Sequence, residues 1–151
     1  MEVALGCDHG GYALKGPIRQ YLASNGISCC DVGADSEDSV DYPVYGMKVA
    51  KLVSSGECQR GILLCGSGIG MSIVANRLPG VRAALCHDIY TARLSRQHND
   101  ANVLVLGARV IGPGLVLEIV KTWFETEFEG GRHKRRVDLI DELAGKEKLK
   151  A

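Results

Sequence analysis

Apolar residues fall along the chain into short runs that alternate with longer periodic stretches. The short runs predict five buried strands, at residues 2–7, 27–32, 62–65, 81–86 and 103–106. Stretches with an apolar residue every three or four positions predict helices, at residues 12–25, 44–54, 71–76, 88–98 and 115–128, with a last one from about 134 to 148. Strands and helices that alternate at this spacing favour an α/β fold. We expect a single-domain three-layer α/β/α sandwich with a doubly wound, Rossmann-like, five-stranded parallel sheet.

Few interruptions break this pattern. Residues 1–151 contain no internal repeat or linker, so one domain is expected. Gly16-Pro17 lies inside the first periodic stretch, and proline in a helix removes a donor and clashes one turn back. A kink or a late start of the first helix is therefore expected. Asp88 is expected to cap the fourth helix, and the charged end, residues 145–151, to be frayed.

Composition narrows the class of protein. The 18 basic and 18 acidic side chains balance, which argues against general nucleic-acid or membrane binding. No apolar run approaches the roughly 20 residues that span a bilayer, and the chain begins with a strand rather than a signal-peptide layout. Six cysteines lack zinc-site spacing, and the neighbours Cys29 and Cys30 should point to opposite faces of a strand. Reduced thiols in a cytoplasmic protein are expected.

The candidate chemistry centres on residues 60–76, RGILLCGSGIGMSIVAN. A buried strand runs into three alternating glycines, and a helix follows at once, so backbone N–H groups can approach a bound anion. Cys65 stands at the lip of this turn. A thiol beside such donors should be partly ionised near neutral pH and can act as a nucleophile, a general base or a metal ligand. The alternative is a packing turn with a small core cysteine.

Two further polar positions follow the first strand. Asp8 and His9 stand where that strand ends, and in open α/β sheets ligands bind outside the carboxyl ends of the strands. Both are therefore candidates for the same site as Cys65. The alternatives are a helix cap for Asp8 and an exposed turn position for His9.

Cationic candidates lie later in the chain. His98 can act as an acid or base near neutral pH, or complement a helix dipole. Arg132 and Arg136 are four apart, so both can project from one face of a helix start and hold a phosphate. A solvated helix end is the alternative. The basic run 132–136 lacks interleaved aromatic residues, which disfavours nucleic acid.

Spacing excludes a cysteine phosphatase and disfavours a dinucleotide site. A cysteine phosphatase needs an arginine six positions after its cysteine to clamp the phosphoryl group, and Met71 stands there. The glycines at 66, 68 and 70 do not give the G-x-G-x-x-G spacing of a dinucleotide site. A thiol general base that works on a phosphorylated small molecule remains.

Five separate segments together resemble one known family. They read GCDHGGYALK at 6–15, DYP at 41–43, GILLCGSGIGMSIVANR at 61–77, SRQHNDANVLVLGARV at 95–110 and EGGRHKRRV at 129–137. They resemble segments of ribose-5-phosphate isomerases of the B type, in the family that also holds the galactose-6-phosphate isomerase subunits. The resemblance runs in order and nearly without gaps from about residue 2 to about 145.

The resemblance implies aldose–ketose isomerisation of a sugar phosphate through an enediolate, without a metal or other cofactor. Cys65 would move the proton between C2 and C1, and the backbone from Gly66 to Gly70 with the Ser67 hydroxyl would hold the enediolate charge. His98 would open the sugar ring, and Asp8 would help to move protons between O1 and O2.

Substrate-binding roles follow from the same resemblance. His9, Arg132 and Arg136 would grip the phosphate. The rest of the pocket would consist of Tyr42, Gly66, Ser67, Gly68, Ile69, Gly70, Asn99 and Arg109. Some family members use a glutamate shortly after the turn as the base, but residues 71–76 contain no acid, which favours the thiol.

The resemblance also implies a homodimer in which two subunits build each site, with the last helix at the interface; a tetramer stays open. Ribose 5-phosphate and ribulose 5-phosphate, in the pentose phosphate pathway, are the expected substrates. A six-carbon substrate such as allose 6-phosphate or galactose 6-phosphate is the alternative, decided by residues 33–43 and those near Arg109. A sugar-phosphate-binding protein without turnover is the non-enzyme alternative.

Overall fold

A computed structural model describes residues 1–148, so residues 149–151 of the predicted domain and of its charged end lie outside the described residues. The described part contains a five-stranded sheet in which every neighbouring pair is parallel, in the order β2-β1-β3-β5-β4. Its strands are β1 (Glu2–Cys7), β2 (Ser28–Asp31), β3 (Arg60–Cys65), β4 (Ala83–Leu85) and β5 (Val103–Gly107). The predicted parallel α/β architecture is confirmed.

Helices follow the strands in the predicted alternation. They are α1 (Tyr12–Ser24), α2 (Tyr42–Ser54), α3 (Ile69–Ala75), α4 (Ile89–Gln97), α5 (Pro113–Glu125) and α6 (Arg132–Lys148). Among the described residues, no helix is both long and apolar enough to cross a membrane.

The strands alternate their side chains between two separate cores, as their period of two requires. On β3, Ile62 and Leu64 join the core under α1, α4 and α5, whereas Leu63 and Cys65 join the core under α2 and α3. Cys29 and Cys30 also contact opposite cores, as predicted. The sheet is therefore covered on both faces, and its carboxyl edge is left for a ligand.

The strand order creates a crevice between β1 and β3. The chain leaves β1 to form β2 on one side, then crosses back to form β3 on the other side. The two connections diverge at this point, and the carboxyl ends of the strands beside it form the usual ligand site of an open α/β sheet. Asp8 follows β1 and Cys65 ends β3, so the topology brings both to this edge.

A kink or a late start was expected for the first helix; the late start is wrong, because α1 begins at Tyr12 and continues through Pro17, and the kink stays a prediction. Proline clashes with the Cβ of the residue before it, and Gly16 has none. The missing N–H of Pro17 would have bonded the carbonyl of Ala13, and Ala13 is exposed to water. The glycine and the solvated carbonyl together let the helix tolerate the proline.

Several boundaries also differ from the prediction. Helix α2 begins two residues early because Pro43 fits a first helical turn, where its lack of N–H costs nothing. Strand β4 is shorter than predicted, and α5 begins and ends earlier. Helix α6 begins at Arg132 rather than 134. The predicted Asp88 cap is confirmed, since its carboxylate accepts a hydrogen bond from Thr91 N–H at 2.7 Å.

Candidate active site

A cavity of about 340 Å³ lies at the carboxyl ends of β1, β3 and β5. Its lining includes a carboxylate, a thiol, a guanidinium and a stretch of glycine-rich backbone. The lining residues are Asp8, Tyr42, Cys65, Gly66, Ser67, Gly70, Arg109 and Val110. Seven of these eight are residues that the sequence predicted for the site; Val110 was missed, although it directly follows Arg109.

The glycine turn wraps its backbone around the Cys65 sulfur. Gly68 N–H donates a hydrogen bond to Cys65 Sγ at 3.1 Å, and the cysteine is only 5 % exposed. This geometry requires Gly68 in the left-handed region, at a φ of 80°, which glycine adopts without strain. A backbone donor aimed at sulfur stabilises a thiolate more than a neutral thiol. The turn is therefore suited to a reactive cysteine.

Burial makes several other thiols of the chain weaker acids than an ordinary cysteine. It raises the pKa of Cys29 to about 11, and it also raises the pKa of Cys7, Cys58 and Cys86. A thiol with a raised pKa is almost fully protonated at neutral pH and serves poorly as a base. These four cysteines are therefore poor candidates for the catalytic base.

Asp8 is fixed by the turn that leads into α1. Its Oδ1 accepts a hydrogen bond from Gly11 N–H at 3.0 Å, and the residue is 7 % exposed. The cap of α1 is Gly11 rather than Asp8. A Cβ built on Gly10 would lie 3.0 Å from the backbone nitrogen of Gly66. The loop after β1 and the glycine turn after β3 therefore approach each other closely. The carboxylate is thereby held beside the glycine turn.

Two larger side chains flank the turn. A Cβ built on Gly66 would lie 3.1 Å from Arg109 Nη1, and one built on Gly70 would lie 2.6 Å from the Tyr42 ring. The backbone beyond β5 is tied to the same turn, since Ala108 N–H donates to Cys65 O and Arg109 N–H to Gly66 O, at 2.8 and 2.9 Å. The Arg109 guanidinium therefore packs against the backbone of Gly66, where any side chain would crowd it.

His9 lies next to Asp8 but faces the loop before α2. Its Nδ1 accepts a hydrogen bond from Val40 N–H at 3.1 Å. That bond assigns the lone pair to Nδ1 and leaves Nε2 as the donor of the neutral ring. His9 is not among the residues that line the cavity.

The other predicted residues form a second cluster, at the end of α4 and the start of α6. His98 caps α4, and its ring stacks on the ring of His133 with centroids 4.2 Å apart and planes 7° apart. Arg132 and Arg136 flank His133 on α6 and are exposed. Within the described chain, none of them lines the cavity around Cys65. The sequence did not single out His133, although the RHKRR motif contains it.

Two arginines hold the chain just after His98. Arg82 Nε donates to the carbonyls of Asn99 and Asp100, at 3.2 and 3.0 Å. Arg96 is buried and bonds the Asp100 carboxylate and the Ala101 carbonyl, at 2.9 and 2.6 Å. Asp100 has a φ of 45°, a strained value for a residue with a side chain. The segment from His98 to Asp100 is therefore held by specific bonds rather than by regular structure.

The predicted site residues thus fall into two groups within the described chain. The turn group lines or forms the cavity: Asp8, Tyr42, Cys65, Gly66, Ser67, Gly68, Ile69, Gly70 and Arg109. Gly68 and Ile69 belong to it through the turn, although they are not cavity lining. The helix group lies apart: His98, Asn99, Arg132 and Arg136.

Comparisons with known proteins show the family of the chain. A sequence profile of the family described as Ribose/Galactose Isomerase matches residues 3–140. The chain is 48 % identical over 139 residues to the ribose-5-phosphate isomerase B of Escherichia coli, covering 92 % of this chain and 93 % of that protein. It is 44 % identical over 149 residues to a D-erythrulose-4-phosphate isomerase of Pectobacterium atrosepticum, covering 98 % of both.

A solved structure extends the likeness to three dimensions. The ribose-5-phosphate isomerase B of Clostridium thermocellum superposes with a TM-score of 0.95 at 53 % identity, over 97 % of this chain and 99 % of that one. The similarity therefore covers both the turn group and the helix group.

Proposed function

The chain belongs to the ribose/galactose isomerase family, and from that premise we propose that it interconverts ribose 5-phosphate and ribulose 5-phosphate. Family membership makes it an aldose–ketose isomerase of sugar phosphates. The observation that carries the mechanism is Cys65 Sγ, which accepts the Gly68 N–H in a cavity shared with Asp8 and Arg109.

The proposed chemistry starts from the opened aldose. Cys65 as thiolate removes the proton from C2, the C–H electron pair forms a C1=C2 double bond, and the carbonyl electron pair moves to O1. The amides of the turn and the Ser67 hydroxyl stabilise that charge. Cys65 then returns its proton to C1, and Asp8 assists transfer of the O2 proton to O1. The atoms and electrons balance without a metal or an external oxidant.

The helix group completes the proposed site from a second copy of the chain. Ring opening needs an acid at the ring oxygen, and His98 suits that role near neutral pH. The phosphate needs fixed cations, which Arg132 and Arg136 offer alongside Arg109, and His9 can add a hydrogen bond from its Nε2–H. In one protomer the helix group does not line the Cys65 cavity, so a shared site explains why one chain carries both groups.

Exposed apolar side chains support a homodimer. Ile69 and Ile73 are more than half exposed beside the turn group, and Ile140 and Leu143 are more than half exposed on α6. Burying such surfaces against a second copy is favourable. We therefore propose that α6 lies at the interface, with a tetramer as the alternative. The cytoplasmic location expected from the cysteines stays a prediction.

Complementation tests the shared site directly. Cys65→Ala and His98→Asn are each inactive as homodimers under this proposal. In a mixed dimer one site receives both intact residues and the other receives neither, so random mixing of subunits restores about a quarter of wild-type activity. Activity that stays at the level of the two separate variants after subunit exchange would mean that each chain builds its own site.

The substrate is tested with a panel of sugar phosphates in EDTA. Ribose 5-phosphate is expected to turn over fastest, measured by the initial rate of ribulose 5-phosphate formation. Faster turnover of allose 6-phosphate or galactose 6-phosphate would retain the mechanism and change the substrate. A four-carbon sugar phosphate belongs in the panel because of the Pectobacterium relative. Binding without turnover of any of them would favour the sugar-phosphate-binding protein.

A further inference from the structure

We propose that His133 is a positioning residue for His98. The buried His133 ring stacks face to face on the His98 ring and fixes its orientation. The inference rests on the proposed function only for what His98 does. Neither the catalytic assignments nor the phosphate contacts above involve His133. Its position in the structure nevertheless ties the start of α6 to the end of α4.

The stack is close and nearly parallel. The two imidazole centroids are 4.2 Å apart and their planes differ by 7°. The rings come from different elements, His98 from the cap of α4 and His133 from the first turn of α6. An otherwise unsupported side chain at a helix end samples several rotamers. A fixed ring against one face restricts His98 to a plane set by α6.

His133 is itself firmly placed. It is 7 % exposed, and its Nε2 is buried without a hydrogen-bond partner among the described residues. The nearest charge is the Glu129 carboxylate, with Oε2 at 3.4 Å from Nε2, and this side chain is about half exposed. Burying a polar atom without a hydrogen bond is costly, and the contacts available to offset that cost are the stack on His98 and the Glu129 carboxylate.

Burial and the nearby charges disfavour a proton on the His133 ring. Burial lowers the pKa of His133, and the nearby His98, Arg132 and Arg136 lower it further. The Glu129 carboxylate opposes them. These groups face His133 from α4, from α6 and from the segment before α6. The ring of His133 is therefore less readily protonated than an ordinary imidazole.

A metal ion is a poor occupant of this cluster. One ligand atom each from His98, Glu129 and His133 lies within 4.8 Å of the others, which is the donor set of many zinc sites. The stacked rings, however, have lone pairs in parallel planes, which cannot converge on one ion. Arg132 and Arg136 add positive charge beside His133, and this repels a cation. Positioning is the role that the geometry favours.

Three substitutions separate stacking from the other properties of the side chain. His133→Phe keeps a flat ring and removes both nitrogens. His133→Leu fills a similar volume without a flat ring, and His133→Gln keeps a polar group without a ring. Lys134→Ala is the matched control, because Lys134 lies in the same turn but is exposed and pairs with Asp138.

With ribose 5-phosphate as substrate, His133→Phe should keep kcat within a few-fold of wild type. His133→Leu and His133→Gln should each lower kcat about tenfold and leave KM nearly unchanged, because a misplaced catalytic group costs rate rather than affinity. Lys134→Ala should behave as wild type. Equal kcat in all three His133 variants would overturn the proposal, and so would a Gln variant faster than the Phe variant.

NMR of the imidazole rings makes the test independent of turnover. In the full-length wild type, His98 ring protons should show a ring-current shift that His133→Phe keeps and His133→Leu removes. An unchanged His98 spectrum in the Leu variant would overturn the stack, even if that variant is active. A shift of both rings on adding Zn²⁺ alone would replace positioning with metal binding. A wild type that isomerises no sugar phosphate would overturn the proposed function, whereas the spectra would still report the stack.

Discussion

The turn group and the helix group differ in what holds them. The turn group lies at the end of buried parallel strands, and its shape is set by backbone bonds such as Gly68 N–H to Cys65 Sγ. The helix group lies where two helices meet, held by arginine bonds at Asp100 and by one stack of rings. Under the proposed mechanism, one copy of the chain preassembles the acid–base groups of the turn, whereas ring opening and phosphate binding depend on the helix group of a second copy.

The sharpest test of the turn group is Cys65→Ala. It should lower kcat about a thousandfold, because general-base catalysis contributes 10² to 10⁴, and it should leave the helix group able to bind phosphate. Isothermal titration with ribose 5-phosphate measures the binding, and initial rates measure the loss. Cys30→Ala, a half-buried cysteine on β2, is the control and should keep full turnover. Residual activity above a tenth of wild type in Cys65→Ala would remove the thiol from the role of base.

The dependence of the turn group on close backbone approach is tested by Gly11→Ala. A Cβ there would overlap the backbone carbonyl of Leu64 on β3, so the loop carrying Asp8 must move. We expect a loss of about 3 kcal/mol in the free energy of unfolding, as for overpacked cores. Gly114→Ala is the matched control, since nothing lies within 4 Å of its Cβ. Chemical denaturation measures both, and similar stabilities of the two variants would contradict the close approach.

The phosphate role of the helix group is tested by Arg136→Ala. Loss of a charge-assisted bond to phosphate should raise KM about thirtyfold, which corresponds to about 2 kcal/mol. The effect on kcat should be smaller. Arg135→Ala is its neighbour on the same exposed turn and serves as the control. If the two variants have the same KM for ribose 5-phosphate, general charge rather than a specific contact holds the phosphate.

The smallest expected effect concerns acid stability at the stack. Folding lowers the pKa of His133 below its ordinary 6.5, so the unfolded chain takes up the proton first. The stability from the neutral ring is complete above that ordinary value and falls as pH drops below it. Between about pH 7.5 and 5.5, the melting temperature of wild type should therefore fall further than that of His133→Phe. Parallel losses in the two proteins would show that His133 does not titrate with folding.

The sequence predicted the turn group better than the helix group for a physical reason. A buried apolar run that ends at glycines predicts a strand, a turn and a candidate site within a few residues. Cys65 and its turn could therefore be located from the local pattern. The stack between His98 and His133 joins residues 35 positions apart through tertiary packing, which no local pattern reports. The late start expected for α1 was wrong because Gly16 has no Cβ to clash with Pro17, and a missing group leaves no signal in the hydrophobic pattern.

The site residues were predicted mainly through the resemblance, which implied a role for each residue but not its contacts in three dimensions. The residues alone left Cys65 as a general base for an unidentified phosphorylated small molecule, and left Arg132 and Arg136 as either phosphate ligands or a solvated helix end. The structure adds that Arg109 belongs beside Gly66 and that His9 faces Val40. These contacts depend on loop geometry, which a sequence without its fold does not specify.

The bonds from Ala108 N–H to Cys65 O and from Arg109 N–H to Gly66 O use main-chain atoms on both sides. Any residue other than proline would supply the same donors. Substitutions at positions 108 and 109 can therefore change the side chains that face the pocket while these two main-chain hydrogen bonds to the Cys65 turn remain. A lineage of such chains would be expected to diversify in substrate more readily than in reaction type.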